Sequence, residues 1–217
     1  MTPEVLRLDD ILDLRAYERA RDDYRRQVIA RKRRRRVALG PILTVVFECL
    51  DTVRFQVQEM ARAEHIATDE GIQQELDVYN RLLPSPGELS ATLFVELTSE
   101  ADLRRWLPAL VGIERALAVE LVGTPPLSVA SVPESSHADA LTRETVTAAV
   151  HYVRFCFPHD ALERFTRAAE AGDGARDGAV RLVARHPAYD AQTALGADTR
   201  SELLADILGR TEPLPLP

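Results

Sequence analysis

No run of 18 consecutive apolar residues occurs in this chain, so no transmembrane helix is expected. The first residues, MTPEVLRLDDILDLRAYERARDD, alternate acid and base and lack the apolar core of a signal peptide. A cytoplasmic protein with no membrane association is therefore expected. Cysteine is scarce. Cys49 and Cys156 lie in the apolar runs VVFECL and VRFCFP, and read as small buried hydrophobes of a reducing compartment. A disulfide between them is the lesser alternative. Two cysteines so far apart make neither a zinc nor an iron–sulfur signature. The chain also lacks a glycine-rich phosphate loop, a G-x-S-x-G turn, and the H-x-x-E, E-x-x-H and H-E-x-x-H spacings. Without them no nucleotide-binding loop, serine-hydrolase elbow or helical zinc site is expected.

What remains is 217 residues, within the range of one domain and long enough to bury a core. The net charge of −7 is unevenly spread. Residues 1–36 hold 12 Lys/Arg and 7 Asp/Glu, a net of +5. That leaves 15 of the 27 basic and 27 of the 34 acidic residues in the remainder, a net of −12. A basic arm on an acidic body suggests intramolecular docking, a homodimer contact or an acidic partner. The run RKRRRR, 31–36, has no interleaved aromatics and the pI is near 5.3, so nucleic acid is disfavoured.

Periodicity predicts a helix over 9–33, from the stripe Ile11, Leu14, Tyr17, Tyr24 and Val28. A strand over 36–48, bent at Gly40-Pro41, follows. A helix to about 66 is capped by Asp51 or Thr52. Then come a short helix over 70–79, a strand in SATLFVELT, a helix after Ser99, and a hairpin in RALAVELVGTPPLSVASVP. A mobile loop covers 133–144. A central strand ends at Pro158, a helix spans about 159–171, and a connector covers 171–178. AVRLVARHPAY is a last strand and DTRSELLADILGR a last helix. Strands adjoin strands as often as helices, which argues for α+β with a mainly antiparallel sheet. The organisation expected is a basic N-terminal helical arm at 1–36, an α+β body at 37–210, and an extended proline-rich tail at 211–217, free to fray.

Residues 51–65, DTVRFQVQEMARAEH, crowd polar groups onto one helix. Val53, Val57, Met60 and Glu64 fall on one stripe, and Arg54, Gln58, Arg62 and His65 on another. The bland reading is a half-exposed helix with a Glu59–Arg62 pair. The functional reading is the wall of a site, because Glu64 stands on the apolar side and a buried glutamate needs a partner. Glu48 and Glu96 on strands are candidates to meet it, as is Arg154. Arg154 is expected to be buried and paired with Glu48, Glu64 or Glu96, either as a structural bridge or as an anion clamp. His151 shares its strand, and His186 precedes a proline at a strand end.

The segments RRRRVALGPILTVVFECLDTVRFQVQEMARAEHI, ELDVYNRLLPSPGELSATLFVEL, LVGIE, AVHYVRF and HPAY resemble, in order, the domain of unknown function 3501 family, over about residues 5–208. The chain departs from the family at FECLDT, so no role is carried to Cys49. The family has no established activity. The resemblance implies a bacterial cytoplasmic protein often encoded beside rubrerythrin-like and iron–sulfur oxidoreductase proteins, which by association suggests redox or peroxide-stress work and such a protein as partner. It also implies one shared polar cleft taking a small anion or a metal, non-haem iron or another divalent ion. Glu59, Glu64, His151, His186 and Tyr189 are the catalytic candidates. Gln58, Arg62, Arg154, Glu48 and Glu96 are the ligand-binding ones. The alternative is a module without chemistry, whose arm docks an acidic partner or its own twin.

Overall fold

The computed structural model of the chain describes residues 5–134, 145–172 and 179–215. The loop expected over 133–144 lies outside them from 135 onward, as does the connector expected over 171–178 from 173. The described elements run α1 (Leu14–Arg35), β1 (Arg36–Leu39), β2 (Leu43–Phe47), α2 (Leu50–Ala63), α3 (Asp69–Tyr79), β3 (Glu88–Val95), α4 (Glu100–Ala109), β4 (Leu117–Leu121) and β5 (Leu127–Pro133). They continue as β6 (Val150–Cys156), α5 (His159–Glu170), β7 (Val180–His186), β8 (Tyr189–Ala194) and α6 (Ala197–Ile207). The strands make one antiparallel sheet in the order β1-β2-β3-β6-β5-β4-β7-β8. The class is α+β, as the runs of adjacent strands imply.

Two expected strands are hairpins. Gly40 takes φ +71°, which glycine adopts without a steric penalty, and the chain reverses there so that Leu39 faces Leu43. A Cβ on Gly40 would stand 2.2 Å from Tyr189 Oη, a second reason for glycine. The stretch 179–189 is likewise β7 turning into β8, with His186 opposite Tyr189. Exposed Asp190 and Gln192 make β8 read as loop in sequence. Tyr189 Oη donates to the Leu39 carbonyl at 2.6 Å and Thr193 Oγ1 to the Ala38 carbonyl at 2.6 Å. These side-chain bonds set the two edge strands side by side, and the sheet nearly closes on itself. That covers edges which would otherwise be open to pairing.

One face of the sheet carries the main core. Val45, Phe47, Leu93, Val119, Val153, Phe155 and Leu182 pack there with Phe165 of α5 and Leu203 of α6. β6 is central, between β3 and β5. Outside β2, β3 and β6 lies a second cluster of Val53, Val57, Leu76, Leu82 and Leu83, with Tyr152 packed against it. α2 and α3 are held there. A third cluster joins α1 to α2 through Tyr17, Tyr24, Val28 and Phe55. α1 starts at Leu14, because the Asp13 carboxylate accepts from Ala16 N at 2.9 Å. Leu8–Asp10 is a separate 3-10 turn. Among the described residues no helix is long and apolar enough to cross a membrane.

Candidate functional site

The first turn of α2, the end of α6 and residues 83–86 enclose a cleft of about 510 Å³. Leu50, Leu83, Pro84, Pro86 and Pro213 make its apolar walls, while Cys49, Asp206, Arg210 and Glu212 add polar groups. The residue capping α2 is Cys49, not Asp51 or Thr52. Its backbone is extended, its sulfur accepts the Thr52 N–H, and Thr52 Oγ1 accepts the Cys49 N–H at 2.9 Å. A cap placed there frees the Asp51 carboxylate for other partners. Cys49 is 1% exposed, and burial pushes its thiol up, with Arg35 pulling the other way. A thiol held protonated is a weak nucleophile.

Two ion-pair clusters flank the cleft, both built from the basic run. Arg35, 0% exposed, donates to Asp206 at 2.5 and 3.0 Å and to Glu202 at 3.1 Å. Asp51, fully buried, accepts from Arg31, from Arg54 at 2.7 Å and from the Leu214 N–H at 3.0 Å. Arg54 also donates to Tyr24 Oη at 2.8 Å and to the Leu214 carbonyl at 2.7 Å. Arg34 pairs with Glu202 at 2.6 Å, Arg36 pairs with Glu96, and Lys32 lies 5.6 Å over the Phe55 ring. Most of RKRRRR is thus engaged within the chain. The tail is extended through residue 215 and pinned by these groups, rather than frayed.

The residues singled out in the sequence do not meet in one cleft. The space between α2 and the sheet is filled by the second apolar cluster. Gln58 is buried, but it bonds the Leu12 backbone at both ends, at 2.9 and 3.0 Å. Glu59 accepts from Arg21 and Tyr17. Arg62 lies 3.7 Å from Glu18 and 3.5 Å from Glu59. Glu64 is exposed at the end of α2, not buried, because the apolar stripe stops one turn earlier. Glu96 takes Arg36 and Thr44. Tyr189 is spent on the Leu39 carbonyl and stands edge-on to Trp106. His186 Nε2 donates to the Val111 carbonyl at 3.0 Å, and its Nδ1 accepts the Ala188 N–H.

Two smaller groupings do form. Buried Glu48 accepts from Thr52, from Thr92 at 2.6 Å and from Gln56 at 3.3 Å. Among the described residues it has no cationic partner, so a carboxyl is held out of water by neutral donors alone. His151 is the other. Its Nε2 is 2.9 Å from Thr147 Oγ1 and 2.9 Å from the Ala148 carbonyl, and its Nδ1 is 4.0 Å from Glu114 Oε2. Burial holds the His151 imidazole below its ordinary pKa, while Glu114 opposes that shift. Both histidines are occupied by backbone and side-chain partners. Among the described residues, no three His, Cys, Asp or Glu side chains cluster so as to hold a metal ion.

Arg154 differs from its expectation in both respects. Its side chain is 24% exposed, and it pairs with Glu88 at 2.9 Å and with the Arg81 carbonyl. The outer face of β6 is covered only in part, so the guanidinium reaches water and a nearby carboxylate on β3. Arg154→Met should therefore cost about 1 kcal/mol or less, not the roughly 3–5 kcal/mol of a stranded buried charge. Urea unfolding of the variant checks this, and a loss above about 3 kcal/mol would show a buried pair. Cys156 is also exposed, at the end of β6, contrary to its reading as a buried hydrophobe, and both cysteines are free thiols.

The groups that sequence reasoning missed are Arg31, Arg35 and Asp206; Arg54 lies on the donor stripe of α2 and Asp51 is an expected cap, but their pairing with each other and with Arg31 is not legible in the sequence. A signal was present. The stripe Tyr17, Tyr24, Val28 continues at the same helical spacing into Arg31 and Arg35, so both arginines lie on the buried side of α1.

No curated protein matches the chain. A solved structure does. It is a crystal structure, at 1.90 Å resolution, of a novel protein of unknown function from Burkholderia pseudomallei K96243. That protein is similar to this chain at 31% identity, with a TM-score of 0.79 over 94% of this chain and 99% of the other. A family model described as "Protein of unknown function (DUF3501)" matches residues 5–207. With nearly the whole chain matched, the protein belongs to the DUF3501 family of proteins of unknown function.

Proposed function

We propose that the cleft beside Cys49 binds a small ligand with an anionic group and an apolar body, in a cytoplasmic protein. The observation that carries this reading is Arg210. It is exposed, lines the cleft and has no side-chain partner among the described residues, whereas Arg31 and Arg34 beside it are paired. An unspent fork of donors beside apolar walls fits a carboxylate, sulfonate or phosphate attached to an apolar group. The first turn of α2 opens onto the same cleft and adds the positive end of its dipole. Burial raises the Cys49 thiol, which does not favour it as a nucleophile, and binding is the function this geometry supports. The alternative of an arm that docks an acidic partner has less to offer that partner, since four of the six cations in its 31–36 run are spent on Asp51, Glu96, Glu202 and Asp206.

The probe that tests this is 8-anilinonaphthalene-1-sulfonate, a small apolar anion. One molecule should bind per chain, and Arg210→Ala should weaken binding roughly tenfold, about 1.4 kcal/mol. Raising the salt should weaken the wild type more than the variant. Equal affinity for both proteins would remove Arg210, and with it the reading.

A further inference from the structure

The C-terminal residues after α6 are held in a way that a passive tail does not need. Gly209 takes φ +62° and turns the chain out of the helix. Thr211 Oγ1 then donates to Asp206 Oδ1 at 2.5 Å. Arg31 donates to the Glu212 carbonyl at 2.9 Å. Leu214 is read at both ends of its backbone. Its N–H is shared between the two Asp51 oxygens at 3.0 and 3.2 Å, and its carbonyl accepts from Arg54 at 2.7 Å. Its side chain packs against the Tyr17, Tyr24 and Val28 cluster. Asp51, Arg54 and Tyr24 are all nine-tenths or more buried, so the receiving site is part of the fold.

The charge count explains why a peptide backbone fits there. One carboxylate, Asp51, faces two guanidiniums, Arg31 and Arg54. The surplus donors need acceptors, and the carbonyls of Glu212 and Leu214 supply them. The carboxylate in turn needs N–H donors, and Leu214 supplies one. Prolines at 213 and 215 hold the segment extended and carry no competing N–H. Residues 209–213 of this same segment form one wall of the cleft that reaches Cys49.

From these contacts we propose that residues 210–215 are a displaceable strap, latched by Asp51, Arg54 and Arg31, and that its release opens the cleft and exposes Cys49. The strap has no secondary structure of its own and is fastened by polar contacts and one leucine. None of its residues belongs to the main core or to the second cluster, and only Leu214 touches the third, so its release leaves the core packing in place. The inference does not rest on the ligand proposed above. A strap can open over a cleft that binds nothing.

The two cysteines make the test internal. Cys156 is exposed and reports general reactivity, while Cys49 is buried at the cleft whose other wall is residues 209–213. Iodoacetamide labelling of the full chain, read residue by residue by mass spectrometry, should modify Cys156 first and Cys49 slowly. Leu214→Lys removes the apolar anchor and sets a third cation beside Arg31 and Arg54. It should speed Cys49 labelling at least tenfold and leave Cys156 unchanged. Thr211→Val, which loses only the hydroxyl bond to Asp206, should give a smaller increase, and Leu214→Met none. The circular dichroism spectrum should stay native in all three. Cys49 labelling that stays slow in Leu214→Lys would overturn the proposal, as would wild-type Cys49 labelling as fast as Cys156.

Discussion

Arg35→Met is expected to lower the free energy of unfolding by about 3–5 kcal/mol, measured by urea denaturation at pH 7. The guanidinium has no access to solvent and meets Asp206 through two near-parallel bonds. Methionine fills much of the volume but leaves Asp206 buried without a cation. Glu202 can turn outward to water, because its side chain is 18% exposed, whereas Asp206 cannot. The cost comes mainly from the stranded carboxylate, so removing it as well should help. Arg35→Met/Asp206→Leu should recover a large part of the loss, with a coupling of roughly 2–3 kcal/mol between the two sites. Additive single-variant losses would mean that the two groups do not share one buried environment. A cost under about 1 kcal/mol for Arg35→Met would place the arginine at the surface.

That result would also bear on what the basic run is for. Six consecutive cations invite a reading as a surface patch, and periodicity alone does not correct it. What does is the helical stripe that precedes them. Tyr17, Tyr24 and Val28 define the inward side of α1, and Arg31 and Arg35 extend it. The excess of acid in the body then has a local meaning, since Asp51, Glu96, Glu202 and Asp206 receive the run. The partners lie up to 171 residues away, so their identity depends on the closed fold and not on any local pattern.

The sheet was legible where alternation was clean. The β4–β5 hairpin and the central place of β6 follow from apolar strands and turn chemistry. The β1–β2 and β7–β8 hairpins were not, because a two- or three-residue turn inside an apolar run looks like a bend. Gly40 and Pro187 mark those turns, but only the partner strand shows that the chain reverses. For the site, the crowded polar face of α2 was visible while its covering was not. α1 packs over it, so Arg54 and Gln58 are buried by a neighbour that no spacing within α2 reveals. The cleft itself joins α2, the 83–86 turn and the end of α6, three segments with no common motif.

The Glu59→Gln substitution should cost about 2 kcal/mol at neutral pH, and less as pH falls. Glu59 accepts from Arg21 at 2.7 and 2.8 Å and from buried Tyr17 at 2.7 Å. Those bonds, Arg21 foremost, hold its carboxyl down at about 2 against an ordinary 4.5. A depression of that size corresponds to roughly 3 kcal/mol, and solvent screening of a side chain 25% exposed brings it to about 2. The folded pKa is the lower one, so the unfolded chain takes up the proton first as acid is added. The stabilisation is fully present above about 4.5 and is lost as pH falls toward 2. Other carboxylates titrate in the same range, so the difference between wild type and variant is the quantity to follow, from urea midpoints at pH 7 and pH 3.5. It should shrink by roughly 1 kcal/mol between them. Arg21→Met should abolish much of the pH dependence, because only the Tyr17 hydroxyl and the more distant Arg62, 3.5 Å from Glu59, then still favour the ionised form. A difference that stays constant across this range would show that Glu59 holds α1 to α2 through shape and neutral hydrogen bonding, with its charge contributing nothing.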